Sequence, residues 1–400
     1  MRNIMDYLAT EFATFDEVPF CAVDALVLSE FCMVRMECIL PAMKEESTIG
    51  GRAAARLKAL LPGKRGVCFK DALMAEHFSD MFTGLVPEKI KELMFALAAS
   101  PRFRDMRMEE CASVFDEGAC TQFAALSFSY RNEFAFVGFR GTDCSFTGWR
   151  EDFDMAYMDL VPAQESAVRY LDAAAPRLPK RLFVGGHSKG GNLATYAALR
   201  CSDAVRARIA AVFDHDGPGF KPGFLEDEAA LRARAQLEGR LQRTVPMDSV
   251  VGMLMDAVAP ETAVLSSAVG IDQHSVFTWE IEDGAFVGSP QVGAAARRTH
   301  EVMGEWLASF KSDELPGFID ALFRALESSG ASNAGQIFGG GPQAAQLIRE
   351  ATRNADDEAR EVIGPAIGRL AAISAAGIAR DAAAGIKDGL SALFQRPRQG

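Results

Sequence analysis

Ser188 stands in the run Arg181-Leu-Phe-Val-Gly-Gly-His-Ser-Lys-Gly-Gly-Asn-Leu-Ala-Thr, which reads as an apolar strand, a G-x-S-x-G core (Gly186, Ser188, Gly190) and then a helix. A sharp strand-to-helix turn of this kind presents a serine hydroxyl from a strained backbone, a nucleophile elbow. The residues two before and two after must be small because the chain doubles back, and Gly186 and Gly190 meet that condition. The turn also sets the next backbone N–H, that of Lys189, at a helix N-terminus, where unpaired donors and the helix dipole favour a developing oxyanion. The plainer reading is a glycine-rich loop with a helix-capping serine; the strand before and the helix after favour the nucleophile. A Ser188-Lys189 catalytic pair is not expected, since adjacent residues at an elbow project differently and the S-x-x-K spacing is absent.

A serine nucleophile needs a general base, and in strand-borne sites of this type the acid and then the histidine follow the serine in the chain. His274 sits in Gly270-Ile-Asp-Gln-His, a loop after an expected strand, and is the chosen base. His300 falls in a helical run beside Arg297 and Arg298 and reads as a solvated surface residue. His215, at the end of another strand, ranks below His274, and His187 reads as packing beside the elbow. For the acid, Asp248 in Thr-Val-Pro-Met-Asp-Ser-Val-Val lies at a strand end and is preferred. Asp214 and Asp216 lie one strand earlier, in Asp-His-Asp-Gly-Pro-Gly, where an acid is also permitted but turn chemistry explains them. Phe136-Val-Gly-Phe-Arg-Gly-Thr-Asp supplies the second oxyanion donor: Gly141 allows close approach and Thr142 offers an N–H and a hydroxyl, although a cap at Thr142 or Asp143 accounts for the same residues.

These residues need a sheet edge to stand on. Phe123–Tyr130, Phe134–Phe139, Arg181–Gly185, Ala207–Asp214, Leu241–Val245 and Thr262–Ala268 read as strands, with Val276–Ile281 a further one at the edge. Helical runs separate most of them, notably Ser188–Arg200 and Gly223–Leu237, which is the pattern of a mostly parallel sheet covered by helices. The expected organisation is a helical segment over 1–106 that packs on the core or acts as a cap, a catalytic α/β domain over 107–330, and a Gly/Ala-rich linker with a helical tail over 331–400. Pro87–Ala98 shows the helical spacing of the first segment, with Ile90, Leu93, Met94 and Leu97 on one face. The run Ile337-Phe338-Gly339-Gly340-Gly341-Pro342 is a breaker. Beyond it Ile363, Ile367, Leu370, Ile378, Ile386 and Leu390 approximate one face, with Arg369, Arg380 and Lys387 elsewhere. That face packs on the core or self-associates; peripheral membrane attachment is the alternative, with too sparse a set of cations to be preferred.

Composition narrows the partners. With 54 acidic and 42 basic residues the net charge is -12, which argues against nucleic acid and suits a neutral or apolar small molecule. No uninterrupted apolar run reaches the roughly 18 residues of a membrane span, and no signal peptide is read at the N-terminus, so the expected location is cytoplasmic. The eight cysteines show no CxxC spacing and read as reduced thiols; no metal or cofactor is expected.

Phe139-Arg-Gly-Thr-Asp, then Trp149-Arg-Glu-Asp, Gly-His-Ser-Lys-Gly-Gly and Val-Pro-Met-Asp-Ser-Val together resemble the class 3 lipase arrangement over roughly Phe123 to Ile281. More narrowly, Gln-Phe-Ala-Ala at Gln122 and Asp-Gly-Pro-Gly-Phe at Asp216 make the chain similar to a bacterial lipase-like α/β-hydrolase family of unknown function. The resemblance implies an α/β-hydrolase fold with Ser188 as nucleophile, Asp248 as acid, His274 as base, and Thr142 with the Lys189 N–H as the oxyanion hole. Gly-Thr-Asp replaces the Gly-Thr-Ser or Gly-Ser-Ser frequent in those lipases, and a negative Asp143 there disfavours acidic head groups. The expected activity is hydrolysis of lipid-like carboxylic esters. A thioesterase or peptidase using the same residues, and a non-catalytic binding protein on a hydrolase scaffold, are the alternatives; Met253, Leu254, Met255 and Val258 line an acyl pocket or form helix core.

Overall fold

In the computed structural model, which describes residues 2–40, 42–43, 66–311, 313–338 and 341–394, eight strands lie in chain order across one sheet. They are β1 (Val67–Cys68), β2 (Arg107–Asp116), β3 (Thr121–Tyr130), β4 (Phe134–Phe139), β5 (Arg181–His187), β6 (Ile209–His215), β7 (Leu241–Pro246) and β8 (Glu261–Val264). β1 to β4 pair antiparallel, and β4 to β8 run parallel. Arg131, at a φ of 51°, makes the tight turn between β3 and β4. The fold class is α/β, as the alternation of strands and helices predicts.

Side-chain alternation divides the core between the two faces of this sheet. Phe134 and Phe136 of β4 point to one apolar cluster, together with Phe183 of β5 and Phe213 of β6. Their neighbours Ala135, Val137 and Phe139, with Leu182, Val184 and Val212, point to the other. Because both faces are covered, the central strands read as continuous apolar runs. α5 (Pro162–Ala174) and α6 (Lys189–Arg200) cover the second face. The first is covered by α1 (Ile4–Thr10), α2 (Ala22–Phe31) and α3 (Pro87–Ala99).

The described N-terminal helices therefore pack on the core, and β1 joins the sheet. Every residue of α2 from Val23 to Phe31 is buried. Each large apolar side chain so buried stabilises by about 1.5–3 kcal/mol. Asp24 of α2 is fixed by Arg102, whose Nε and Nη2 donate to its two oxygens at 2.7 and 2.6 Å, while the Tyr7 hydroxyl donates to it at 2.8 Å.

α4 (Phe146–Asp154) carries Phe146, Trp149 and Phe153 into a third cluster, formed with Trp306 of α8 (Ala294–Ala308) and Leu315, Phe318 and Phe323 of α9 (Glu314–Glu327). Trp149 stacks on Phe338 at 4.1 Å. α10 (Gly341–Asn354) and α11 (Asp357–Phe394) follow. Ile363 and Leu370 of α11 pack onto this layer, whereas Ile367 is exposed. Gly339 and Gly340 of the expected breaker, and the side chains of Ile378, Arg380, Ile386, Lys387 and Leu390, lie outside the described residues.

Two expected elements differ, and one long strand lies outside the expected set. The run Val276–Ile281 forms a 3-10 turn (Val276–Thr278) and only then joins a two-stranded ribbon of β9 (Ile281–Glu282) and β10 (Ala285–Phe286). Its apolar residues Val276, Phe277 and Trp279 plug the core, and its only pairing among the described residues before β9 is the isolated bridge of Trp279 to Ser266. The helix expected over Gly223–Leu237 is divided by Asp227, which caps α7 (Glu228–Gln236) through its carboxylate. β2 was not expected, because its polar half-exposed sequence carries little apolar alternation. Among the described residues no cysteine forms a disulfide, no helix is long and apolar enough to cross a membrane, and no cluster of side chains forms a metal site.

Candidate active site

Ser188 has φ 59° and ψ −133°, a backbone conformation rare for a residue with a Cβ. β5 runs directly into α6 at this point, and two contacts show why glycine flanks it. A Cβ on Gly186 would lie 2.2 Å from the Gly190 carbonyl carbon, and one on Gly190 would lie 2.2 Å from the Phe139 carbonyl oxygen of β4. The Ser188 N–H donates to the His215 carbonyl at 2.9 Å, tying the elbow to the end of β6. Lys189 opens α6, so its N–H belongs to the first turn, which has no intrahelical acceptors.

The loop after β4 passes beside the serine: a Cβ on Gly141 would lie 3.6 Å from that of Ser188 and 3.0 Å from the His187 carbonyl oxygen. The Thr142 hydroxyl donates to Asp152 of α4 at 2.5 Å. Asp143 serves local structure, accepting from the Ser145 N–H at 2.8 Å ahead of α4, where Ser145 is the N-cap. The Lys189 side chain turns away from the serine and into the protein. Its ammonium donates to Glu151 at 2.6 Å and to the Gln122 carbonyl at 3.1 Å, and lies 3.6 Å from Asp152. Burial raises the Asp152 carboxyl to about 6 against the opposing pull of Lys189 and the Thr142 hydroxyl. One lysine thus couples the elbow to the helix that holds Thr142.

His274 ends a 3-10 turn (Gly270–His274), and its Nδ1 lies 2.7 Å from Asp216 Oδ2. Asp216 is fully buried just past β6, and its other oxygen accepts from the Ser249 hydroxyl at 2.5 Å and the Gly252 N–H at 3.2 Å. The expected partner, Asp248, is not at this ring. It faces Gln273, the preceding residue, with its N–H donating to the Gln273 amide oxygen at 3.1 Å and its Oδ2 accepting from Gln273 Nε2 at 3.4 Å. The reason lies in the strand order. β6 is the neighbour of β5, β7 is one strand further out, and the chain after β8 returns far enough across the top of the sheet to set His274 against the β6 carboxylate.

Asp214 keeps the turn role expected for it, accepting from the Gly217 N–H at 2.9 Å and pairing with Arg243 at 3.5 Å, while burial raises its carboxyl to about 6. His215 is fully buried among Phe213, Trp279 and Phe286, and neither ring nitrogen has a hydrogen-bond partner among the described residues. Burial, and then the charge of His187, lowers its pKa to about 3. His300 is exposed on α8, with Nδ1 3.0 Å from the Met253 carbonyl. His187 is not simple packing: its Nδ1 lies 3.2 Å from Glu30 and its Nε2 2.9 Å from the His274 carbonyl.

Met253 and Val258 pack in core clusters, and the segment holding them is a 3-10 turn and loop, not a helix. A cavity of about 1210 Å³ borders the loop between β4 and α4, lined by Arg35, Glu37, Asp143, Phe146 and Arg150 among others. Neither Ser188 nor His274 is among the residues that line it, which include Val114, Phe115 and Phe123 beside the charged ones. Sequence reading assigns no role to Glu30, Glu151 or Asp152. Their signal is a charged residue inside an otherwise apolar or site-bearing helix: Glu30 in Ala22–Phe31, and Glu151-Asp152 opposite a lysine that the elbow buries.

Comparison with curated proteins gives no match. Among solved structures the chain is similar to a Rhizomucor miehei lipase in a propeptide complex, at 15% identity over 44% of this chain and 66% of that one, with a TM-score of 0.29. It is also similar to M37 lipase, at 11% identity over 73% of this chain and 82% of that one, with a TM-score of 0.34. The chain therefore spans just under two thirds of the Rhizomucor protein, and neither likeness is close enough to carry an argument. The family model described as Mbeg1-like matches residues 97–324, which run from the end of α3 through the elbow, the Asp216 turn and the His274 loop into α9. That match takes in more than half of the sequence, and the chain belongs to the Mbeg1-like family.

Proposed function

We propose that this protein is a serine hydrolase of the α/β-hydrolase type that cleaves neutral, lipid-like carboxylic esters, with Ser188 as nucleophile, His274 as base and Asp216 as the acid. The observation that carries this reading is the 2.7 Å contact between His274 Nδ1 and a fully buried carboxylate, at the same rim of the sheet as a serine held at φ 59°. Asp216 accepts the Nδ1 proton and so leaves Nε2 free to take a proton.

In the proposed reaction the Ser188 Oγ attacks the ester carbonyl carbon while Nε2 takes the hydroxyl proton. The oxyanion that forms meets the N–H groups of Lys189 and Thr142. Collapse breaks the bond to the alkoxide, which leaves with the proton from His274, and water activated by the same imidazole then releases the carboxylic acid. The acidic balance of the chain and the absence of a cationic cluster among the candidate catalytic residues support a neutral substrate over an acidic one.

A fluorophosphonate probe tests this directly. Wild type is expected to label, and Ser188→Ala and His274→Ala, each verified as folded by circular dichroism, are not. A folded wild type that stays unlabelled moves the assignment to a non-catalytic binding protein on the same scaffold. A panel of ester, thioester and amide substrates of matched acyl group then fixes the leaving group.

A further inference from the structure

We propose that His187, clamped between Glu30 and the His274 carbonyl, is a doubly protonated positioning residue that fixes the loop carrying the candidate base to the residue preceding the nucleophile. The inference rests on the hydrolase reading of the site. The geometry points to it through the two ring nitrogens. A carbonyl oxygen can only accept, so the nitrogen 2.9 Å from the His274 carbonyl, Nε2, carries a proton. The other, Nδ1, faces a carboxylate oxygen of Glu30 at 3.2 Å. That approach is an ion-pair contact, since Glu30 Oε2 has no hydrogen-bond partner among the described residues, so the carboxylate calls for a charged ring beside it and the carbonyl for a proton on Nε2.

Glu30 supplies the complementary half of the argument. It is 5% exposed, near the end of a helix whose remaining residues from Val23 to Phe31 are buried and mostly apolar. A carboxylate in that setting needs a cation, and His187 is the group placed to be one. Burial alone would lower the His187 pKa, but the carboxylate of Glu30, the charge of Asp216 and the His274 carbonyl together raise it. The groups around the ring agree. Asp216 comes from the end of β6, His274 packs its ring at 4.6 Å and tilted by 32°, and Trp279 presents an edge at 6.4 Å. His215, the further titratable group beside it, is driven neutral.

The consequence is mechanical. Asp216 sets the rotation of the His274 ring, while His187 sets the backbone from which that ring hangs. Since His187 and Ser188 are consecutive, nucleophile and base are referenced to one fixed point. Sign follows from the raised pKa: the charged ring is present below its folded pKa and is lost as pH rises through that value, when Nδ1 loses its proton and faces Glu30 without one.

Nitrogen-15 imidazole NMR on the full chain, with the His187 resonances assigned by their loss in His187→Leu, measures the protonation of each nitrogen. Both are expected in the protonated range at pH 7.5 in wild type. In Glu30→Gln, Nδ1 is expected to deprotonate at lower pH, and the alkaline limb of the fluorophosphonate labelling rate to move to lower pH with it. His187→Asn, which retains an amide donor for the carbonyl, is expected to label faster than His187→Leu. An unprotonated Nδ1 in wild type at neutral pH, or an alkaline limb unmoved in folded Glu30→Gln, overturns the proposal. Absence of labelling in wild type overturns the hydrolase reading instead, and the nitrogen shifts still decide the charge of His187.

Discussion

Replacing Asp216 by asparagine should disable the site far more than replacing Asp248, although Asp248 is the acid that the sequence favours. Asp216 Oδ1 is engaged by the Ser249 hydroxyl and the Gly252 N–H, both donors, so the asparagine carbonyl oxygen takes that side. Its amide nitrogen then points at His274 Nδ1, where the carboxylate oxygen lay at 2.7 Å. Two donors cannot share that contact, so the imidazole must carry its proton on Nε2 and can no longer accept one from Ser188. A change of tautomer of this kind lowers turnover by about 10⁴, which corresponds to roughly 5.5 kcal/mol of transition-state stabilisation. Asp248→Asn disturbs one long contact with Gln273 at 3.4 Å and leaves the ring untouched. Its expected loss is less than about threefold, or under roughly 0.7 kcal/mol. The assay is kcat/KM on a p-nitrophenyl ester, normalised to active sites titrated with the fluorophosphonate probe, with urea melts to match the folded fractions. A larger loss in Asp248→Asn than in Asp216→Asn would refute the reasoning and return the acid to the strand end favoured by the sequence.

Lys189→Met removes the cation from fully buried Glu151, and should destabilise the fold by about 3–5 kcal/mol in urea titration. The double variant Lys189→Met/Glu151→Gln should recover part of that loss; no recovery would show that the pair is not what the lysine serves. Gly186→Ala sets a methyl 2.2 Å from the Gly190 carbonyl carbon and oxygen, a backbone clash that cannot relax through side-chain motion. It should lose at least about 1–3 kcal/mol of stability and nearly all probe labelling, and wild-type labelling would contradict the elbow geometry. His215 has its folded pKa lowered to about 3, below the unfolded value near 6.5. Proton linkage at this ring therefore contributes nothing at pH 8 and destabilises progressively as pH falls below the unfolded pKa. Relative to wild type, His215→Leu should gain about 2 kcal/mol between pH 8 and pH 5 in chemical denaturation, and a pH-independent difference would show that the ring is solvated.

Much of the site's outline is written locally. The elbow is legible at Gly186, Ser188 and Gly190 because its requirements, a buried strand, two small residues and a helix start, all lie within about fifteen consecutive residues. β4 was read to its observed ends for the same reason, since Phe134–Phe139 carries a pattern that depends only on near neighbours. His274 was legible as a loop histidine after a strand, and Gly141-Thr142 as a loop after β4. The N-terminal helices were legible as helices, but nothing local reveals that α2 covers a sheet face whose strands lie about a hundred residues away.

What the sequence by itself determined is thus the elbow, the α/β class and the set of residues from which a base and an acid can be drawn. Only the tertiary structure decided which carboxylate meets His274, because Asp216 and Asp248 both stand at strand ends and differ in how far their strands lie from β5. It also decided that Lys189 turns inward to Glu151 and that Glu30 reaches His187, a contact spanning more than 150 residues. Side-chain pairing across distant segments depends on strand order and the return path of each loop, and spacing along the chain records neither.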